Sequence, residues 1–175
     1  MAKVDIATRW NATGIEFETA GIVVAPEPFI PSHDILLRDN KKVLKGTKYL
    51  PLGVVNDLIK AKETPAGWRL PSREEGKGIA KLFTGTEIGR KIFELDGYIG
   101  LNDMAQYQNA PSIDAIRILN HGTLGYHWTS DLVSELYAYV ITSGKRVLNA
   151  DSYLHIGCGL PLILVRDLQS LHAST

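Results

Sequence analysis

Residues 67–75 read GWRLPSREE, and within this stretch an extended segment hands over to a helix. Pro71 disfavours the helical region for Leu70 and holds it extended. Ser72 stands three residues before Glu75, the S-x-x-E spacing of a capping box. In that device the serine hydroxyl accepts from the glutamate N–H, and the carboxylate accepts from the serine N–H. The spacing predicts a strand ending near Leu70 and a helix from about Arg73 to Phe83, with Ile79, Leu82 and Phe83 as its apolar stripe. Gly76 and Gly78 each weaken this helix by up to about 1 kcal/mol relative to alanine.

Upstream, GVVNDLIKAKE (53–63) sets Val54, Val55, Leu58 and Ile59 at helical spacing, a short amphipathic helix that TPAG ends. Residues 1 to about 40 read as strands broken by turns: VDIATRW, IEFETAGIVVA and DILLRD. Ile15, Phe17 and Thr19 alternate with Glu16 and Glu18, the period of a half-buried strand. Pro26, Pro28 and Pro31 make APEPFIP an extended loop, and Lys41-Lys42 falls near a turn. From residue 97 the chain is again β-rich, in GYIGLND, AIRILN, YHWTS, LYAYVITSG, RVLNAD and LPLILVRD. Strands, two helices and then many strands predict an α+β domain with its helices packed on an antiparallel sheet.

At 175 residues, 45% of them hydrophobic, the chain suits one domain with a sizeable core. Nineteen basic residues balance nineteen acidic ones, so no net field draws nucleic acid or an anionic membrane. The cluster Lys41, Lys42, Lys45 and Lys48 reads as a solvated hairpin rather than a phosphate site. A single cysteine, Cys158, excludes an internal disulfide and any multi-thiolate metal site, and favours folding in a reducing compartment. MAKVDIATRW has no apolar core of signal-peptide length. No run approaches the roughly 20 apolar residues that span a bilayer. The expectation is synthesis in the cytoplasm without membrane insertion.

The order of motifs resembles a known family. GWRLPSREE is similar to the RLPT-x-x-E signature of formylglycine-generating-enzyme-type domains and the Fibrobacter succinogenes major paralogous domain, both of the C-type lectin-like fold. Gly97-Tyr98-Ile99-Gly100-Leu101 resembles its G-Y/W-x-G-L strand, and Gly125-Tyr126-His127-Trp128-Thr129-Ser130 its G-x-Y-W-S-S segment. Tyr137-Ala138-Tyr139-Val140 resembles A-Y-x-L, and Leu164-Val165-Arg166-Asp167 the terminal V-R-x-V-R-D. The likeness runs over roughly residues 50–167. It implies two helices packed on a twisted antiparallel sheet, preceded by a strand-rich N-terminal segment or attachment arm over 1–45, with the lectin-like domain over 46–175. In such a fold Trp68, Arg69, Leu70, Pro71, Ser72 and Glu75 form a structural motif. Trp68 fills the joint between helices and sheet, and the Arg69 guanidinium pairs with a carboxylate or backbone carbonyls.

Chemistry is scarce. The enzymes of the family hold copper with two cysteines, and this chain has one, in IGCGLP, the setting of a small core residue. Calcium-dependent sugar binding needs loops such as E-P-N and W-N-D. Glu27-Pro28 lies too early, and Asn102-Asp103 reads as a turn. His121, His127 and His155 lack metal-ligand spacing. His33-Asp34 has no G-x-S-x-G partner, and Gly144-Lys145 lacks the upstream glycine of a P-loop. Asn11-Ala12-Thr13 is a sequon without a secretion signal. The reading is no enzyme, no cofactor and no metal.

What remains is a non-enzymatic binding or structural module. The resemblance implies a phage virion surface protein (fibre, decoration or receptor-binding), or alternatively a bacterial cell-surface lectin-like adhesion domain or an intracellular ligand-binding module. The partner is a protein or glycan on a cell surface or within a viral particle, and a homo-oligomer is compatible. Tyrosine, histidine and tryptophan interleave with Ser, Asn and Asp between Gly122 and Gly159, the mixture of adaptable recognition surfaces. Trp128 and one of Tyr137 and Tyr139 are expected in the core. The expected exposed binding residues are His127, Asp131, Asn149, Asp151, Tyr153 and His155.

Overall fold

A computed structural model describes residues 6–18, 20–83, 86–87, 95–109, 116–144 and 148–168. Its first half contains α1 (Ile6–Thr13), β1 (Ile15–Phe17), β2 (Ile22–Val24), β3 (Ile35–Leu36), β4 (Lys42–Val43), α2 (Leu52–Lys60), β5 (Trp68–Arg69) and α3 (Arg73–Phe83). There follow β6 (Tyr98–Ile99), α4 (Leu101–Asn109), β7 (Ile118–Leu119), β8 (Gly125–Leu132), β9 (Tyr137–Ser143), β10 (Leu148–His155) and β11 (Val165–Asp167). Strand order is β1-β2-β11-β5 in one sheet and β10-β9-β8 in a second, with β3-β4 and β6-β7 as separate pairs. All of these strand pairings are antiparallel, so the class is α+β.

The joint at residues 67–75 forms as its residues dictate. The Glu75 N–H donates to Ser72 Oγ at 3.1 Å, and the Ser72 N–H donates to Glu75 Oε1 at 2.9 Å. Arg69 reaches the same carboxylate through both terminal nitrogens, at 2.7 and 2.8 Å. It also donates to Asp167 at 2.6 Å and to the Leu70 carbonyl at 3.1 Å. One glutamate therefore caps α3 and ties it to β5, while Arg69 ties β5 to β11. These paired charges hold the Glu75 carboxyl below its ordinary range, the Arg69 guanidinium being the largest cause. Glu75→Ala removes the acceptor of the Ser72 N–H and leaves Arg69 half-paired. The expected loss is about 1–3 kcal/mol, read from urea denaturation. Unchanged stability would mean that the Glu75 carboxylate does not hold α3 to β5.

Gly76 has a packing reason that outweighs its helix cost. A Cβ there would lie 3.0 Å from Ile141 Cγ1 and 3.4 Å from the Ala150 Cβ. Glycine lets α3 press against β9 and β10. Ile79 is fully buried in this layer with Ile141, Ile22, Val24, Ile163 and Val165. The side chains of Leu82 and Phe83, and Thr19 in the expected first strand, lie outside the described residues.

Several expectations are corrected. Of VDIATRW, Val4 and Asp5 lie outside the described residues and the rest is not a strand: Ile6–Thr13 is helical, which sets Trp10 into the main core at 0% exposure. The Trp10 ring meets Trp68 edge-on at 5.1 Å, and the Trp68 indole N–H donates to Asn11 Oδ1 at 3.2 Å. A short run with few apolar residues is ambiguous between helix and strand, and this tertiary contact decides it. IEFETAGIVVA is two paired strands rather than one. GYIGLND is a two-residue strand followed by α4, with Asn102 and Asp103 in the helix's first turn rather than in a loop. α4 brings Met104 and Tyr107 into a third apolar cluster with Tyr49 and Ile99. The Tyr107 hydroxyl accepts from the Lys48 N–H at 2.9 Å, and Lys48 Nζ pairs with Asp96 at 2.6 Å, so this lysine leaves the solvated cluster. The described residues thus hold four α-helices, not two, and several small sheets, not one. Residues 10–25, placed by sequence in an arm, supply β2 between β1 and β11 and put Trp10, Val23 and Ala25 in the main core.

Candidate functional site

Strand alternation sorts β9 into two faces. Ala138 and Val140 point into the main core at 0% exposure. Tyr137, Tyr139 and Ile141 take the opposite face, where β10 pairs Tyr153 with Tyr139 and His155 with Tyr137. α3 covers only part of this face. Ile141 lies beneath it, and the Arg73 guanidinium sits 3.9 Å over the Tyr139 ring. Past Arg73 the face is open. Tyr137 meets Tyr153 edge-on at 5.8 Å and His155 at 5.5 Å, while Tyr153 is 54% exposed.

The β8–β9 turn extends this aromatic row. Leu132, Val133 and Leu136 are 56%, 42% and 54% exposed. Large apolar side chains grouped at a hairpin tip are unusual for a folded surface and mark contact sites. Sequence reasoning passed over them, yet a signal was present: SDLVSELY (130–137) puts three aliphatic residues where a turn is ordinarily polar.

The structure brings together two of the six expected binding residues, Tyr153 and His155, and adds Tyr137. His155 is half-buried, and its Nδ1 accepts the Gly157 N–H at 2.9 Å, which places the ring proton on Nε2. A Cβ at Gly157 would displace the tip of the half-exposed Leu101 side chain and lie 3.2 Å from His155 Nδ1. Asp131 and Asp151 serve α3: Asp131 accepts the Arg73 N–H at 2.6 Å, and Asp151 pairs with the Arg73 guanidinium at 3.3 Å. Asn149 accepts the Asp151 N–H at 3.3 Å within the irregular stretch of β10.

His127 is a correction. It is 1% exposed, opposite Ile141, and burial pushes its pKa down to about 3. A buried neutral imidazole cannot serve as a surface contact. Neither tyrosine of the Tyr137/Tyr139 pair enters the core: Tyr137 is exposed, and Tyr139 is half-covered by Arg73. Trp128 is fully buried, its indole N–H donating to the Leu50 carbonyl at 2.7 Å, so it offers no sugar platform.

Beyond Leu136 and His155 the surface dips into an open groove of about 870 Å³ between residues 40–44, the start of α2 and α4. Its walls are mostly apolar, and Lys41 and Lys42 stand on it. Among the described residues no group of three His, Cys, Asp or Glu side chains is placed to hold a metal ion. Cys158 is buried, and burial pushes its thiol up, away from the reactive thiolate. Among the described residues no helix is long and apolar enough to cross a membrane. No protein-family model, curated protein or solved structure matches this chain.

Proposed function

We propose that this protein is a non-enzymatic binding module, built on a C-type lectin-like fold, that holds a partner protein against the β8–β9 hairpin tip and the Tyr137–Tyr153–His155 row. The observation that carries the reading is the grouping of exposed Leu132, Val133, Leu136, Tyr137 and Tyr153 on one end of the β10-β9-β8 sheet. Tyrosines with few rotamers offer contact area at small entropic cost, and aliphatic neighbours exclude water around them. The lectin-like assignment draws support from the order of the motifs, the working capping box and the pairing of β2 with β11, which joins the two ends of the chain.

The setting we propose is the surface of a virus particle, as a fibre, decoration or receptor-binding part. A single buried cysteine suits a chain that folds in a reducing cytoplasm before assembly. A bacterial cell-surface adhesion domain is the alternative setting.

A photo-crosslinking amino acid placed at Tyr137 or Tyr153, in cells that make the protein natively, is expected to give one discrete protein adduct. The same group at Lys60, exposed on α2, gives none. The double variant Leu132→Ser/Leu136→Ser, probed at Tyr153, lowers adduct yield at least about tenfold, the scale of a lost interface anchor, with an unchanged melting temperature. Equal labelling from all three positions, or none from either tyrosine, overturns the reading. Absence of the chain from purified virus particles moves the setting to the cell surface.

A further inference from the structure

We infer that the groove beside the hairpin is a docking site for an acidic, apolar segment of a partner protein. The inference rests on the binding-module reading, and the groove shares Leu136 and His155 with that surface; charge reversal at Lys41 and Lys42 distinguishes its failure from that of the hairpin site.

The walls come from separate elements. Val43 and Leu44 stand on one side, Val54 on α2, Leu101 and Met104 on α4, and Leu136 at the hairpin. Val43 and Met104 are buried, whereas Leu101 and Leu136 are about half exposed, at 51% and 54%. A volume of about 870 Å³ lies within the span of small-ligand sites. This one, however, is an open groove, and Leu136 and His155 belong both to it and to the exposed patch.

Charge selects the occupant. Lys41 and Lys42 are the charged residues of the lining, and no carboxylate is among the lining residues. Residues 38–45 carry Arg38, Lys41, Lys42 and Lys45 against Asp39 alone, in a chain with as many acidic as basic residues. Lys41 meets Asp57 at 4.0 Å, and Lys42 meets Asp34 at 3.6 Å. Both contacts are long and solvent-exposed, so they are weak and readily exchanged for a ligand carboxylate. An extended segment has a further anchor. β4 has β3 as its one strand neighbour among the described residues, and a peptide strand can add to such an edge.

Fluorescein-labelled eight-residue peptides with leucine at alternate positions test this by anisotropy against the full chain. The intervening positions are all acidic, all amide or all lysine. The acidic peptide is expected to bind at least about tenfold more tightly than the amide one, and to weaken as salt rises from about 0.05 to 0.5 M. Lys41→Glu/Lys42→Glu, two exposed positions, is expected to transfer the preference to the lysine peptide. Tyr137→Ala/Tyr153→Ala leaves this binding unchanged, which separates the groove from the hairpin site. The inference is overturned by no binding of any peptide up to about 1 mM, by equal binding of the three, or by a preference that survives charge reversal. Equally tight binding of decanoate would reassign the groove to a small amphiphile, which also overturns it.

Discussion

Trp68→Ala is expected to lower the stability of the protein by at least about 3 kcal/mol, the range of large-to-small changes at buried aromatics. Trp68 is 3% exposed, and three contacts converge on it. Trp10 packs edge-on at 5.1 Å, Asn11 accepts its indole N–H, and the Arg166 guanidinium lies 5.4 Å over its ring. Arg166 is itself only 5% exposed, so truncation leaves a buried cation without its aromatic face as well as a cavity. For a chain of this size the loss corresponds to a fall in melting temperature of roughly 6–12 °C. Trp68→Phe should fall between wild type and alanine. Because Trp10 and Trp68 touch, Trp10→Ala and Trp68→Ala should couple by about 0.5 kcal/mol or more in a double-mutant cycle. A Trp68→Ala protein that melts like wild type would sink the role of the opening motif as the joint of the fold.

Stability is expected to fall as the pH is lowered below about 6.5, and His127 is the main cause. Burial pushes this imidazole down to about 3, with nearby Lys48 acting in the same direction and Asp96 opposing both. The folded chain therefore keeps His127 neutral where the unfolded chain, titrating near 6.5, binds a proton. Stability that is fully present above that value is lost on acidification, at up to about 1.4 kcal/mol per pH unit. Glu75 adds a second loss lower down. Its pKa is held below the ordinary carboxylate value of 4.5 by Arg69, so its contribution disappears as pH falls below that range. The two can be separated: His127→Gln should flatten the urea midpoint between about pH 6.5 and 4.5 and retain the steeper fall beneath. A wild-type profile that is level from pH 7 to 5 would contradict the buried, neutral state of His127.

Both predictions depend on environments that residue types alone do not reveal. His127 lies in a β-rich segment among aromatic and hydroxyl residues, a pattern shared by exposed recognition strands. Its place opposite Ile141 in the packed sheet leaves it 1% exposed. Tyr137 and Tyr139 illustrate the reverse. They share a face by alternation, but the face is closed only where Arg73 lies over Tyr139. The groove was invisible in sequence because its walls come from residues more than 100 positions apart, from Val43 to Ile156.

Local chemistry determined what local chemistry can. Pro71, Ser72 and Glu75 specify a strand-to-helix joint through contacts within a few residues, and the apolar period of residues 53–63 specifies α2. The α+β class follows from the order of such segments. Tertiary structure decided the rest. Ile6–Thr13 is a helix because it seats Trp10 against Trp68, 58 residues away in sequence. Leu101–Asn109 is a helix because it buries Met104 and Tyr107 against Tyr49 and Ile99. Short segments with mixed periodicity have nearly balanced local preferences, and the apolar area they bury against distant partners settles them. Which polar and aromatic side chains remain in water, and so which can bind, is a property of that packing alone.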